Sequence, residues 1–194
     1  MPDIMLVIDG SGSIAPSDFE LARRFARTLV RSCLFVPGSR AGVVEYSDKA
    51  RLIQALSDDR GEVDRALQEL IQSGGITATG AAINLAQRHL ASNQRQGVNN
   101  IIIVLTDGES YTGPDPIAAA NAARAAGAEL FAIGVGDLVN RAELEGIANQ
   151  PSANYVFEVT DFASLQMALA PVAGAVCGVP VALIEEEETL AVDV

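Results

Sequence analysis

The stretch Asp3-Ile4-Met5-Leu6-Val7-Ile8-Asp9-Gly10-Ser11-Gly12-Ser13 decides the fold. Its central run is apolar, rich in branched side chains and without alternation, the pattern of a strand covered on both faces. The pattern returns at 41–46, 101–105, 130–135 and 155–159. Helical spacing lies between these runs. Phe19, Ala22, Phe25, Ala26, Leu29, Val30 and Cys33 form one apolar face, and Ser17 with Glu20 three residues on predicts a capping box at its start. Further helices are expected over 61–71, 80–92, 115–126, 141–149 and 161–176, with Asp115-Pro116 and Asp161 as N-caps and Gly127 as a C-cap. Alternating strands and helices imply an open, mostly parallel sheet with helices on both faces, a doubly wound three-layer α/β domain of Rossmann-like type. The run 51–55 follows 46 too closely for a parallel crossover and predicts an antiparallel hairpin at a sheet edge.

Composition narrows the function classes. The chain has 194 residues with 25 Asp and Glu against 13 Lys and Arg, a formal charge of −12, which argues against a nucleic-acid or anionic-membrane partner held by basic patches. A hydrophobic content of 49% supports a real core within one domain. No apolar run reaches the roughly 18 residues of a membrane-spanning helix, so no membrane insertion by this segment is expected. The strand pattern opens at Asp3, which reads as a segment of a longer protein or a minimal intracellular domain. Residues 1–178 are expected to form the domain and 179–194, with the run Glu185-Glu186-Glu187-Glu188, an acidic linker or tail.

In such folds ligands bind beyond the carboxyl ends of the strands where strand order reverses, so the post-strand turns carry the chemistry. After the first strand, Asp9-Gly10-Ser11-Gly12-Ser13 places a carboxylate and two hydroxyls in one tight turn. After the fourth, Thr106-Asp107-Gly108 adds another carboxylate, and 74–80 contributes the hydroxyls of Thr77 and Thr79. These are all oxygen donors, suited to Mg²⁺ or Mn²⁺, while the lack of clustered His or Cys disfavours Zn²⁺.

On these residues the chain resembles a von Willebrand factor type A domain, the fold shared with integrin inserted domains. The Asp-x-Ser-x-Ser turn, the later Thr and the Thr-Asp-Gly match that family's metal-ion-dependent adhesion site without a gap. The element order agrees from about 3 to 177, including Val156-Phe157-Glu158-Val159-Thr160-Asp161-Phe162 leading into the last helix. The resemblance implies sheet order 3-2-1-4-5-6 with strand 3 antiparallel. It also implies that Asp9, Ser11, Ser13, Thr77 and Asp107 surround Mg²⁺, with Mn²⁺ or Ca²⁺ as alternatives, and alignment on Ile83 favours Thr77 over Thr79. A protein partner presenting a Glu or Asp carboxylate would complete the metal's shell. Glu109, Ser110 and Tyr111, just past the second carboxylate, are candidates for the partner rim. In the resembling fold Cys33 and Cys177 end helices at the pole opposite the metal on one sheet face, which leaves both a bridge and two buried thiols open.

The expected function is a metal-dependent adhesion-type binding module, extracellular or at the cell surface within a larger protein. The alternative is an intracellular accessory subunit recruiting an ATPase or substrate. No enzyme signature competes. Neither 9–13 nor 108–113 fits the Gly-x-Ser-x-Gly elbow, and there is no Gly-x-x-x-x-Gly-Lys-Ser/Thr phosphate loop and no Gly-x-Gly-x-x-Gly at the first turn. An aspartyl-phosphate route through Asp9 lacks a basic residue beside it. His89, the only His, sits mid-helix with no triad partner and reads as a surface or packing residue.

Overall fold

A computed structural model describes residues 1–34 and 36–178. The proposed tail at 179–194 lies outside the described residues. Among the described residues six strands form one sheet: β1 (Pro2–Asp9), β2 (Arg40–Tyr46), β3 (Ala50–Ser57), β4 (Asn99–Thr106), β5 (Ala128–Val135) and β6 (Val156–Val159). Their spatial order is β3-β2-β1-β4-β5-β6, as expected. Only the β2–β3 hairpin is antiparallel. The α-helices of the described residues that cover the sheet are α1 (Pro16–Cys33), α2 (Arg60–Gln68), α3 (Thr79–Ser92), α4 (Pro116–Ala125), α5 (Arg141–Ile147) and α6 (Leu165–Cys177).

Side-chain alternation along the buried strands makes two cores. Ile4, Leu6 and Ile8 of β1, with Ile101, Ile103 and Leu105 of β4, face α1, α2 and α6. Met5 and Val7, with Ile102 and Val104, face α3, α4 and α5. Both faces are apolar, so each strand reads as an unbroken run. Every residue of the expected α1 face is buried. Each such large side chain contributes roughly 1.5–3 kcal/mol on burial.

The helix boundaries show where local rules competed. Ala15, not Ser17, is the N-cap of α1, with no side-chain cap bond. Pro16 occupies the first turn, where its fixed φ and missing N–H suit a helix start. Glu20 instead pairs with Arg23. Asp115 caps α4 by accepting from the Ile117 N–H at 2.9 Å, in accord with the sequence reading. Asp161 caps a 3-10 turn, Phe162–Ser164, that precedes α6.

Cys33 and Cys177 are joined by a disulfide with Cα atoms 5.3 Å apart, tying the end of α1 to the end of α6. Asp3, with no exposed side-chain surface, is forked by Arg40 and Arg95 at the opposite end of β1 from Asp9. Burial raises the Asp3 pKa, but the bonds and charges of Arg40 and Arg95 more than reverse this and hold it below the usual carboxylate value. His89 Nε2 accepts the Leu56 N–H at 3.1 Å and so secures β3 to α3, a packing role.

Candidate metal centre

The crevice follows from topology. β1 leads to α1 on one face and β4 leads to α4 on the other, so the strand order reverses between them. In the β1–β4 register Ile8 lies opposite Leu105, which sets Asp9 beside Thr106 at the carboxyl edge.

Four of the five expected ligands form a hydrogen-bonded chain. Asp9 Oδ1 accepts the Ser11 N–H at 2.9 Å, and Ser11 Oγ lies 3.0 Å from Ser13 Oγ. Ser13 Oγ then donates to Asp107 Oδ1 at 2.9 Å. Asp9 Oδ2 accepts the Thr106 hydroxyl at 2.8 Å, closing the path from the first turn to the second. Asp9, Ser11 and Asp107 are buried, whereas Ser13 is exposed at the mouth.

Thr77 is buried, and the bonds seen at it run through its backbone carbonyl, which accepts Tyr111 N–H at 2.8 Å and Ser110 Oγ at 3.4 Å, from four and three residues past Asp107. The Thr79 hydroxyl is directed into the core, 3.4 Å from the Tyr46 hydroxyl.

Burial pushes the Asp9 carboxyl up to about 6, with the Asp107 charge adding to the shift and bonds from Ser11 and Thr106 opposing it. Burial also raises Asp107, and the Ser13 bond offsets only part. Among the described residues neither carboxylate is in an ion pair with Arg or Lys. Nor do three or more His, Cys, Asp or Glu cluster there as a metal-binding group. The donor set fits a hard divalent cation. Two carboxylates lack a cationic side chain, hydroxyl oxygens flank them, and no nitrogen or sulfur competes.

The rim candidates divide by environment. Glu109 Oε1 accepts from Asn140 Nδ2 at 2.7 Å, and the Ser110 N–H is bonded to Glu143 Oε1 at 3.0 Å, so both are drawn toward α5. Tyr111 is 72% exposed.

Several supporting residues escaped the sequence reading. Asn140 caps α5 by accepting from the Glu143 N–H. The spacing Asn140-x-x-Glu143 is a helix-start signal that could have found it. Gln72 Nε2 donates to the carbonyls of Ser11 and Ile14, at 3.0 and 2.8 Å. No sequence signal marks Gln72, or the contact of the buried Glu45 with Ser73, because these partners come from remote positions.

The von Willebrand factor type A domain model matches residues 3–170. The human collagen alpha-1(XXI) chain is 39% identical over 166 residues, covering 84% of this chain and 17% of that protein. The transmembrane cell adhesion receptor mua-3 of Caenorhabditis elegans is 37% identical over 182 residues, covering 86% of this chain and 5% of that protein. Among solved structures, proximal thread matrix protein 1 of the mussel byssus, with a zinc-occupied metal-ion-dependent adhesion site motif, superposes with a TM-score of 0.84 at 26% identity. That match covers 91% of this chain and 48% of the mussel chain. The chain thus spans a small part of the curated relatives it matches.

Proposed function

The chain belongs to the von Willebrand factor type A family, and from that premise we propose that it is a protein-binding module whose contact is made through a divalent cation. Asp9, Ser11, Ser13, Thr77 and Asp107 would hold the ion. The observation that carries this reading is the chain of bonds joining Asp9, Ser11, Ser13 and Asp107 at the β1–β4 switch point.

Each residue has a physical task. Asp9 is oriented by the Ser11 N–H and the Thr106 hydroxyl, so its carboxylate is fixed before a ligand arrives. Two carboxylates bring about −2 of charge, which balances a divalent cation, and the hydroxyls add oxygens without adding charge, so a coordination position would stay open to a partner. The bound cation supplies a Lewis-acid position that a Glu or Asp side chain of a partner protein can fill. Tyr111, exposed next to this position, offers an aromatic surface to the same partner.

The zinc-occupied motif of the mussel protein supports a divalent cation here. The all-oxygen donor set favours Mg²⁺ or Mn²⁺. The adhesion and collagen relatives support an extracellular or cell-surface setting. The Cys33–Cys177 bridge supports it over the intracellular accessory role, because cytosolic thiol buffers oppose such bonds. The collagen and adhesion-receptor relatives favour a non-enzymatic role.

Protein-partner binding in Mg²⁺ is expected to vanish with EDTA and with Asp107→Ala. Binding that persists under both conditions overturns the reading.

A further inference from the structure

Glu45 is a buried acid that the metal reading does not use. It stands at the penultimate position of β2, opposite Ile8 in the β1 register, and its side chain has no exposed surface. Both oxygens are engaged. Oε1 accepts the Ser73 N–H at 2.9 Å, and Oε2 accepts the Ser73 hydroxyl at 2.9 Å. Arg51 of the edge strand β3 donates Nε and Nη2 to Oε2 at 3.1 and 2.9 Å.

The loop anchored at Ser73 is bonded directly to the metal turn. The Gly74 N–H donates to Gly10 O at 2.8 Å, and the Gly12 N–H donates to Gly75 O at 2.9 Å. Gly75 adopts φ +98°, a conformation that favours glycine. Glu45 also lies against the turn itself, since a Cβ on Gly10 would collide with its Oε1. Two residues beyond Gly75 the same loop delivers Thr77.

From this arrangement we infer that Glu45 is a positioning residue for the metal centre: clamped by Arg51, it fixes the Ser73–Thr77 loop over the Asp9–Ser13 turn and so sets cation affinity. The inference rests on the metal-site reading. It adds that the affinity depends on a salt bridge reaching the sheet edge, where the Arg51 side chain is 49% exposed. Outer-shell groups of this kind typically change metal affinity about 10- to 100-fold when removed.

The test is Mn²⁺ titration by electron paramagnetic resonance on the full chain, at a temperature where circular dichroism shows each protein folded. Glu45→Ala is expected to weaken Mn²⁺ binding by more than about tenfold. Glu45→Gln, which retains an acceptor for the Ser73 N–H, should fall between it and wild type. Arg51→Met, altering a partly exposed residue, should weaken binding in the same direction. Asp3→Asn removes a buried acid at the far end of β1 and should leave Mn²⁺ affinity unchanged. If Glu45→Ala does not fold, Glu45→Gln and Ser73→Ala decide the matter. Folded Glu45 and Arg51 variants that bind Mn²⁺ as wild type does, or an equal loss in Asp3→Asn, would overturn the positioning role. A wild-type chain that binds no Mn²⁺ would instead remove the metal-site reading beneath it.

Discussion

Ser13 Oγ donates to Asp107 Oδ1 at 2.9 Å although 94 positions separate the two residues. Each belongs to a turn that is locally unremarkable, a Gly/Ser bend after β1 and a Thr-Asp-Gly after β4. Their meeting is a property of the strand order, because β1 and β4 are neighbours whose connections leave on opposite faces. A crevice at that point is what the doubly wound fold provides for a ligand.

The disulfide spans 144 positions and ties α6, the last described helix, to α1. Replacing Cys33 and Cys177 together with Ala is expected to lower stability by about 2–4 kcal/mol, because the unfolded chain regains the freedom that the closed loop denies it. Urea unfolding of the double variant gives the difference. Thiol titration of the unfolded, unreduced wild type should find no reactive thiol, and two would exclude the bridge.

Asp3 gives the fold an acid limb. Its folded pKa lies below its unfolded value, so its contribution is present above the unfolded value near 4 and is lost as pH falls through the folded one. Asp3→Asn should therefore be destabilised at pH 7, by about 2–3 kcal/mol since Arg40 and Arg95 remain reachable by water. The gap to wild type should narrow as pH drops below 4. Urea midpoints of the two proteins at pH 7, 4 and 3 check both the size and the direction.

A Tyr111 variant tests partner contact apart from ion binding. Tyr111→Ala is expected to change stability by less than about 0.5 kcal/mol, as for a surface position. Mn²⁺ affinity should be unchanged, while partner affinity in Mg²⁺ should drop about tenfold. Equal partner binding by variant and wild type would remove Tyr111 from the contact surface.

Much of the frame was legible because parallel strands buried on both faces keep unbroken apolar runs, as Ile101 to Leu105 do. The edge strand β3 was harder. It spans Ala50–Ser57, beyond the expected 51–55, with a register against β2 broken near Val43 and most of its residues only partly buried. The start of α1 was misplaced because Ser17 and Glu20 have capping-box spacing, yet Pro16 takes the first turn one residue earlier. The carboxylates and hydroxyls of the crevice could be picked out as turns after strands. Their support could not: Glu45, Tyr46 and Gln72 reach Ser73, Thr79 and Ser11, 28 to 61 positions away, and nothing local to those residues encodes these contacts. Tyr46 is completely buried with its hydroxyl near Thr79, and burial first, then the Asp9 charge, raises its pKa.

The central claim is that one divalent cation sits among Asp9, Ser11, Ser13, Thr77 and Asp107. Anomalous diffraction from crystals grown with Mn²⁺ tests it most directly. The account predicts a single strong peak within about 2.2 Å of the Ser11 and Ser13 hydroxyl oxygens, and its loss in Asp9→Asn crystals. A crevice without a peak, or a peak that survives that substitution unchanged, would contradict it.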